Sequence, residues 1–108
     1  MVKLMTVILA GLLAVPLLAS CDSPKNRKAN CITWSGNAYA VAQLRDIEKT
    51  EREATETWMK IVKHMSAGVA KKMREEIAWV YANPKISQGQ VEVERYKACM
   101  AGNWPEFK

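Results

Sequence analysis

Histidine, glycine and regular strand patterning are scarce in this chain. The single histidine, His64, and five singly scattered glycines are spread over 108 residues. One histidine leaves no Ser/His/Asp or Cys/His spacing that singles out a general base with its partner, so His64 reads as a half-buried or surface residue on a helix. Cys21, Cys31 and Cys99 form no CxxC pair and have no companion histidines at ligand spacing. No metal site is therefore expected. The scattered glycines make no phosphate-cradling loop, so no nucleotide or other cofactor is expected either. Alternation of apolar and polar residues is confined to Val91–Val93, which is too short to signal a sheet. An acidic excess is missing too: 16 Lys and Arg face 11 Asp and Glu, for a net +5. That mild bias is compatible with an anionic membrane surface. It falls short of a nucleic-acid footprint, which needs the charge clustered on one face. Lys71–Arg74 is followed at once by Glu75 and Glu76, so the field of that basic run is locally cancelled. The pairs Glu75–Glu76 and Glu92/Glu94 could be imagined as an acid/base couple. A bundle this small leaves little room for the cleft such chemistry needs, and solvated helix faces are the better reading. The chain is expected to be no enzyme and to have no nucleic-acid partner.

The N-terminus is more informative. Met1–Lys3 is a short positive start, and Leu4–Ala19 is a run of apolar and small residues broken only by Thr6, Gly11 and Pro16. This is the pattern of a secretory signal peptide. A permanent anchor helix fits less well, because the run is shorter than the roughly 17–25 residues a span needs and Pro16 interrupts its last turns. The run ends in Leu18-Ala19-Ser20-Cys21, which resembles the lipobox of bacterial lipoproteins: a branched aliphatic residue, two small residues, then the cysteine. The resemblance implies cleavage between Ser20 and Cys21, a diacylglyceryl thioether on Cys21 and an acylated new amino terminus. Several acyl chains at about 0.8 kcal/mol per buried methylene would hold such a protein stably on a bilayer. Asp22 resembles the inner-membrane retention signal of enterobacterial lipoproteins and tilts the placement toward the inner membrane. The alternative is ordinary cleavage near Ala19 or Ser20, which gives a secreted or periplasmic soluble protein. If Cys21 carries lipid, Cys31 and Cys99 are left as a pair in a compartment where disulfides persist. Their bridge would staple the ends of the domain, a useful addition for a core that buries only roughly 60–65% of its surface.

Residues 23–30, Ser-Pro-Lys-Asn-Arg-Lys-Ala-Asn, show no apolar periodicity. They read as a basic tether between a lipidated terminus and a helical domain over 31–108, whose cations could lie near headgroups. Beyond Cys31 the spacing becomes helical. Ala38, Val41, Ala42 and Arg45 share one face of a first helix over about 35–47. Thr50–Glu53 fits a capping box that opens a second helix, although a continuous helix from Ser35 onward is the alternative. Ala54, Trp58, Ile61, Val62 and Met65 make the second stripe, and Ser66–Gly68 marks a break. Val69, Met73, Ile77, Val80 and Tyr81 make a third stripe, which Asn83-Pro84 terminates. Ser87–Gln90 repeats the capping pattern before a fourth stripe of Val93, Tyr96, Cys99 and Met100, closed by Gly102. The fold expected is all-α: a small bundle of three or four short helices around Trp58, Trp79 and Tyr81, stapled by one disulfide.

The tail, Asn103–Lys108, carries Trp104 and Phe107 around Pro105, which keeps it from being helical. The two rings are either anchors for a partner or a lid folded over the bundle. Small cores recruit every aromatic available, which favours the lid. The combined reading is a non-enzymatic lipoprotein anchored to the bacterial envelope whose domain binds another envelope protein. Exclusion, immunity or secretion-accessory roles enter only by analogy of size and anchoring. A structural envelope-maintenance lipoprotein is the alternative.

Overall fold

The computed structural model describes residues 24–107. The leader over 1–20, the lipid site Cys21 and Asp22 lie outside the described residues. Within them the chain is all-α, with four helices: α1 (Pro24–Asp46), α2 (Glu51–Val62), α3 (Ala67–Ala82) and α4 (Gln88–Ala101).

The main correction concerns the tether. Residues 24–30 are the first turns of α1, not an irregular linker, and α1 is a 23-residue helix. Pro24 fits its first turn, where the missing N–H has no partner to lose. Lysine and arginine are good helix formers once a neighbour supplies the packing. That packing comes from Cys31, Trp34, Ala38, Val41 and Ala42, all buried, which prolong the expected stripe by a heptad toward the N-terminus.

Helix α4 runs antiparallel to α1. Near the start of α1, Cys31 is bonded to Cys99 near the end of α4, with Cα atoms 5.6 Å apart. At the other end Gln88 Nε2 donates to Asp46 Oδ2 at 3.0 Å. Helix α3 lies beside this pair, and α2 packs mainly on α3.

The breaks follow local chemistry. Helix α1 closes in a Schellman motif: the Glu48 N–H donates to Arg45 O at 3.0 Å and the Lys49 N–H to Leu44 O at 3.0 Å. Glu48 stands at the left-handed position, φ 66°, where glycine is usual, and this break rules out the continuous helix. The capping box at Thr50 is complete. Its hydroxyl accepts from the Glu53 N–H at 3.1 Å, and Glu53 Oε1 accepts from the Thr50 N–H at 2.9 Å. That second bond holds the Glu53 carboxyl below its usual range. Ser66 and Ser87 cap α3 and α4 by accepting from the Val69 and Gln90 N–H groups. The Ser87 box is only half made, because the Gln90 side chain reaches forward to Glu94 at 2.7 Å. Asn83 and Gly102 end α3 and α4.

Two apolar stripes are rephased. Ile61 is 50% exposed, since α2 buries only the narrow row Ala54, Trp58 and Val62. On α4 the buried face is Val91 and Cys99 with Arg95 between them, while Val93 is 45% exposed. Apolar periodicity could not register a core position held by arginine.

Candidate functional site

The region that combines buried charge, aromatic rings and the disulfide is the end of the bundle where α1 begins and α4 finishes. Trp34 is its centre, with no surface exposed to solvent. Its indole Nε1 donates to Pro105 O at 2.8 Å, which satisfies the one polar atom that burial would otherwise penalise. Trp104 and Phe107 meet the Trp34 ring edge-on, at centroid distances of 5.7 and 4.8 Å. Asn30 locks the tail from both sides: its Nδ2 donates to Pro105 O at 3.1 Å, and its Oδ1 accepts from the Phe107 N–H at 2.8 Å. A residue expected in the tether is therefore part of the domain. Trp104 and Phe107, the two candidate partner anchors, pack over Trp34 as a half-buried lid. Gly102 permits the approach of Trp104, because a Cβ there would lie 3.1 Å from its Nε1.

Beneath the tail lies a pair that stripe counting missed. Glu76, 1% exposed, accepts from Arg95 Nε and Nη2 at 2.7 Å each. Lys72 Nζ stands 3.7 Å from the same carboxylate and 3.5 Å from Glu75. The Arg95 guanidinium faces Trp79 at 4.3 Å and Trp104 at 5.3 Å, and Lys72 sits over Trp104 at 3.8 Å. The expectation that Glu75–Glu76 is a solvated face is thus wrong for Glu76. Both of its oxygens are occupied by one guanidinium in a bidentate fork, a geometry that stabilises a fixed carboxylate and binds the tail to α3 and α4. The signal available in the sequence was Glu76 directly beside Ile77 on the Val69–Val80 stripe.

A second surface runs along the α1–α4 flank, where Ile32, Ser35, Glu92, Val93, Tyr96 and Lys97 line an open hollow of about 420 Å³. Ile32 is 54% exposed and Val93 45%, so two branched aliphatic side chains face solvent across this hollow. His64 lies in the exposed turn after α2. Among the described residues, no group of three or more His, Cys, Asp or Glu side chains is placed to hold a metal ion, and no helix is long and apolar enough to cross a membrane.

No family model, curated protein or solved structure matches this chain. Function must be read from its own geometry.

At the far end, Arg45 serves as a clamp. Its side chain is 7% exposed, and it donates to Val80 O at 3.3 Å, Asn83 O at 3.0 Å and Ile86 O at 2.8 Å. The Val80 and Asn83 carbonyls, which also accept the Asn83 and Ile86 N–H groups, and the Ile86 carbonyl in the following turn thereby share a cation at the C-terminal end of α3, as the helix dipole favours. Asp46 accepts from the same guanidinium at 2.8 and 3.2 Å. The hydrogen bond from Arg45, with that from Gln88, holds the Asp46 carboxyl below its usual range. Tyr81 donates to Lys49 O at 2.7 Å, and burial pushes its phenol above the ordinary value.

Proposed function

We propose that this chain is a lipid-anchored protein of the bacterial envelope whose small helical domain is a non-enzymatic protein-binding module held at the extracytoplasmic membrane surface. The observation that carries the reading is the Cys31–Cys99 bridge. Of three cysteines it uses two, and the third, Cys21, closes an apolar leader in a lipobox-like sequence. A bridged pair suits an exported protein, and a single remaining cysteine at that position suits acylation. The polar groups beneath the tail are spent on each other, which favours a scaffold over a reaction centre, and the exposed Ile32 and Val93 offer an apolar contact surface on the α1–α4 flank.

Mass spectrometry of the purified mature protein tests anchoring. The expected result is a chain beginning at Cys21 with added acyl mass, and no alkylatable thiol before reduction. An intact domain recovered from culture medium without acyl mass would replace the proposal with a soluble secreted protein. A photo-cross-linker at Val93 tests the binding role. Capture of a defined envelope protein, lost when Cys21→Ser releases the domain, is expected. No specific adduct, together with a permeability defect on deletion, would favour structural maintenance of the envelope.

A further inference from the structure

The sequence shows only a mild basic bias, but the fold sorts it. The antiparallel arrangement brings the start of α1, the end of α2, the start of α3 and the end of α4 to one end of the bundle. Each side of that end carries exposed lysine: Lys28 from α1, Lys63 from the cap that ends α2, Lys71 from α3 and Lys97 from α4. Two of the acids at this end are answered, since Glu76 is held by Arg95 and Glu75 lies near Lys72. The opposite end exposes Asp46, Glu48, Glu51 and Glu53 against Lys49 and Lys85, while Arg45 is buried in its clamp and Arg52 pairs with Glu56; Glu92 lies between the two ends, on the flank it shares with Lys97. The bundle is therefore charge-polarised along its length.

We propose that the lysine-bearing end is a docking surface for anionic phospholipid headgroups, which seats the domain end-on with its acidic end pointing away from the bilayer. The orientation rests on the anchoring reading above. Helix α1 begins at Pro24, three residues after Cys21, and at no more than about 3.6 Å per residue a lipid on Cys21 leaves the start of α1 roughly 11 Å from its attachment point. That is close to the Debye length of about 8–10 Å at physiological salt, so the start of α1, with Lys28 about one turn into it, lies within range of a charged surface. The acidic end, repelled by the same surface, reinforces the polarity.

The test separates docking from anchoring by using the chain from residue 21 with Cys21→Ser, disulfide-closed, and vesicles of phosphatidylcholine with or without phosphatidylglycerol. Binding to the phosphatidylglycerol vesicles, abolished by high salt, is expected. Lys28→Gln, Lys63→Gln and Lys71→Gln should each weaken it about fivefold, and together about a hundredfold. Lys49→Gln and Lys85→Gln at the far end should leave it unchanged. Circular dichroism of every variant confirms that the helices persist. Equal binding to both vesicle types, no binding, or equal loss from far-end substitutions would overturn the docking surface, as would equally tight binding to duplex DNA. If docking fails while acyl mass is found on Cys21, anchoring stands alone. If vesicles bind but the mature protein carries no lipid, the surface stands and the anchor falls.

Discussion

Where α1 begins, the closing contacts join residues far apart in sequence: Glu76 to Arg95 across 19 positions, Cys31 to Cys99 across 68 and Asn30 to Phe107 across 77. At the opposite end most contacts are local, with the Schellman bonds into Arg45 and Leu44, the Thr50–Glu53 box and Asn83 Nδ2 on Trp79 O. Arg45, and the Tyr81–Lys49 and Gln88–Asp46 bonds, reach further there. Local motifs form from short segments and stop helices at defined residues. Contacts between distant segments must overcome loop-closure entropy, and here they use a covalent bond and a buried charge pair. The end where α1 begins is thus closed by a covalent bond and a buried charge pair, while the far end combines local caps with the Arg45 clamp and the Tyr81–Lys49 and Gln88–Asp46 bonds.

That contrast can be broken in graded steps. Arg95→Leu leaves the Glu76 carboxylate buried with only Lys72 nearby, and is expected to cost about 3–5 kcal/mol in denaturant unfolding. The double change Glu76→Leu with Arg95→Leu should recover much of that loss. Equal losses in the single and double variants would show that the pair is not what holds the tail. Cys31→Ser with Cys99→Ser opens a loop of 68 residues and should cost about 4 kcal/mol in the chain-entropy model. A loss below about 1 kcal/mol would place the restraint in the aromatic lid. Arg45→Leu strips three carbonyls of a charged donor and is expected to cost about 2–3 kcal/mol. Hydrogen exchange should quicken first at the end of α3, and uniform quickening would deny Arg45 its local role. Glu48→Gly relieves a left-handed non-glycine residue and should raise stability by about 0.5–1 kcal/mol, a gain readable as a shifted denaturation midpoint.

The smallest effect expected is of pH, and it also belongs to the far end. Asp46 and Glu53 have folded-state pKa values below their ordinary ones. Their contribution is complete above the unfolded values and is lost as pH falls through the folded ones. Tyr81 is shifted upward, so its contribution is complete below the unfolded phenol value and is lost as pH rises through the folded one. Glu53→Gln should flatten the acid limb and Tyr81→Phe the alkaline limb of a stability–pH curve. Unchanged limbs would remove these groups from the account.

Most helix boundaries after Asp46 were legible because each is set by chemistry within a few residues: Thr50 with Glu53, Ser66, Asn83-Pro84, Ser87 and Gly102. The start of α1 was not. Lys25–Asn30 carry no stripe of their own, and their helix depends on Trp34, on Cys99 and on a tail that returns to Asn30. Trp34 itself was reachable by extending the Ala38–Arg45 face backward one heptad. Glu76 and Arg95 were harder, because a charged residue enters a core only beside its partner, and no local pattern shows where that partner will be.

The sequence by itself determined where α2 and α4 begin, where α3 and α4 stop and the lipobox-like context of Cys21, since caps and leaders are written in contiguous residues, and it allowed Cys31 and Cys99 as a pair if Cys21 is used for lipid. Tertiary structure alone decided that residues 24–30 are helix, that Glu76 is buried and the tail a lid, and that Lys28, Lys63, Lys71 and Lys97 gather at one end. Those outcomes depend on which distant segments become neighbours, and the fields and packing that fix them are sums over the assembled bundle.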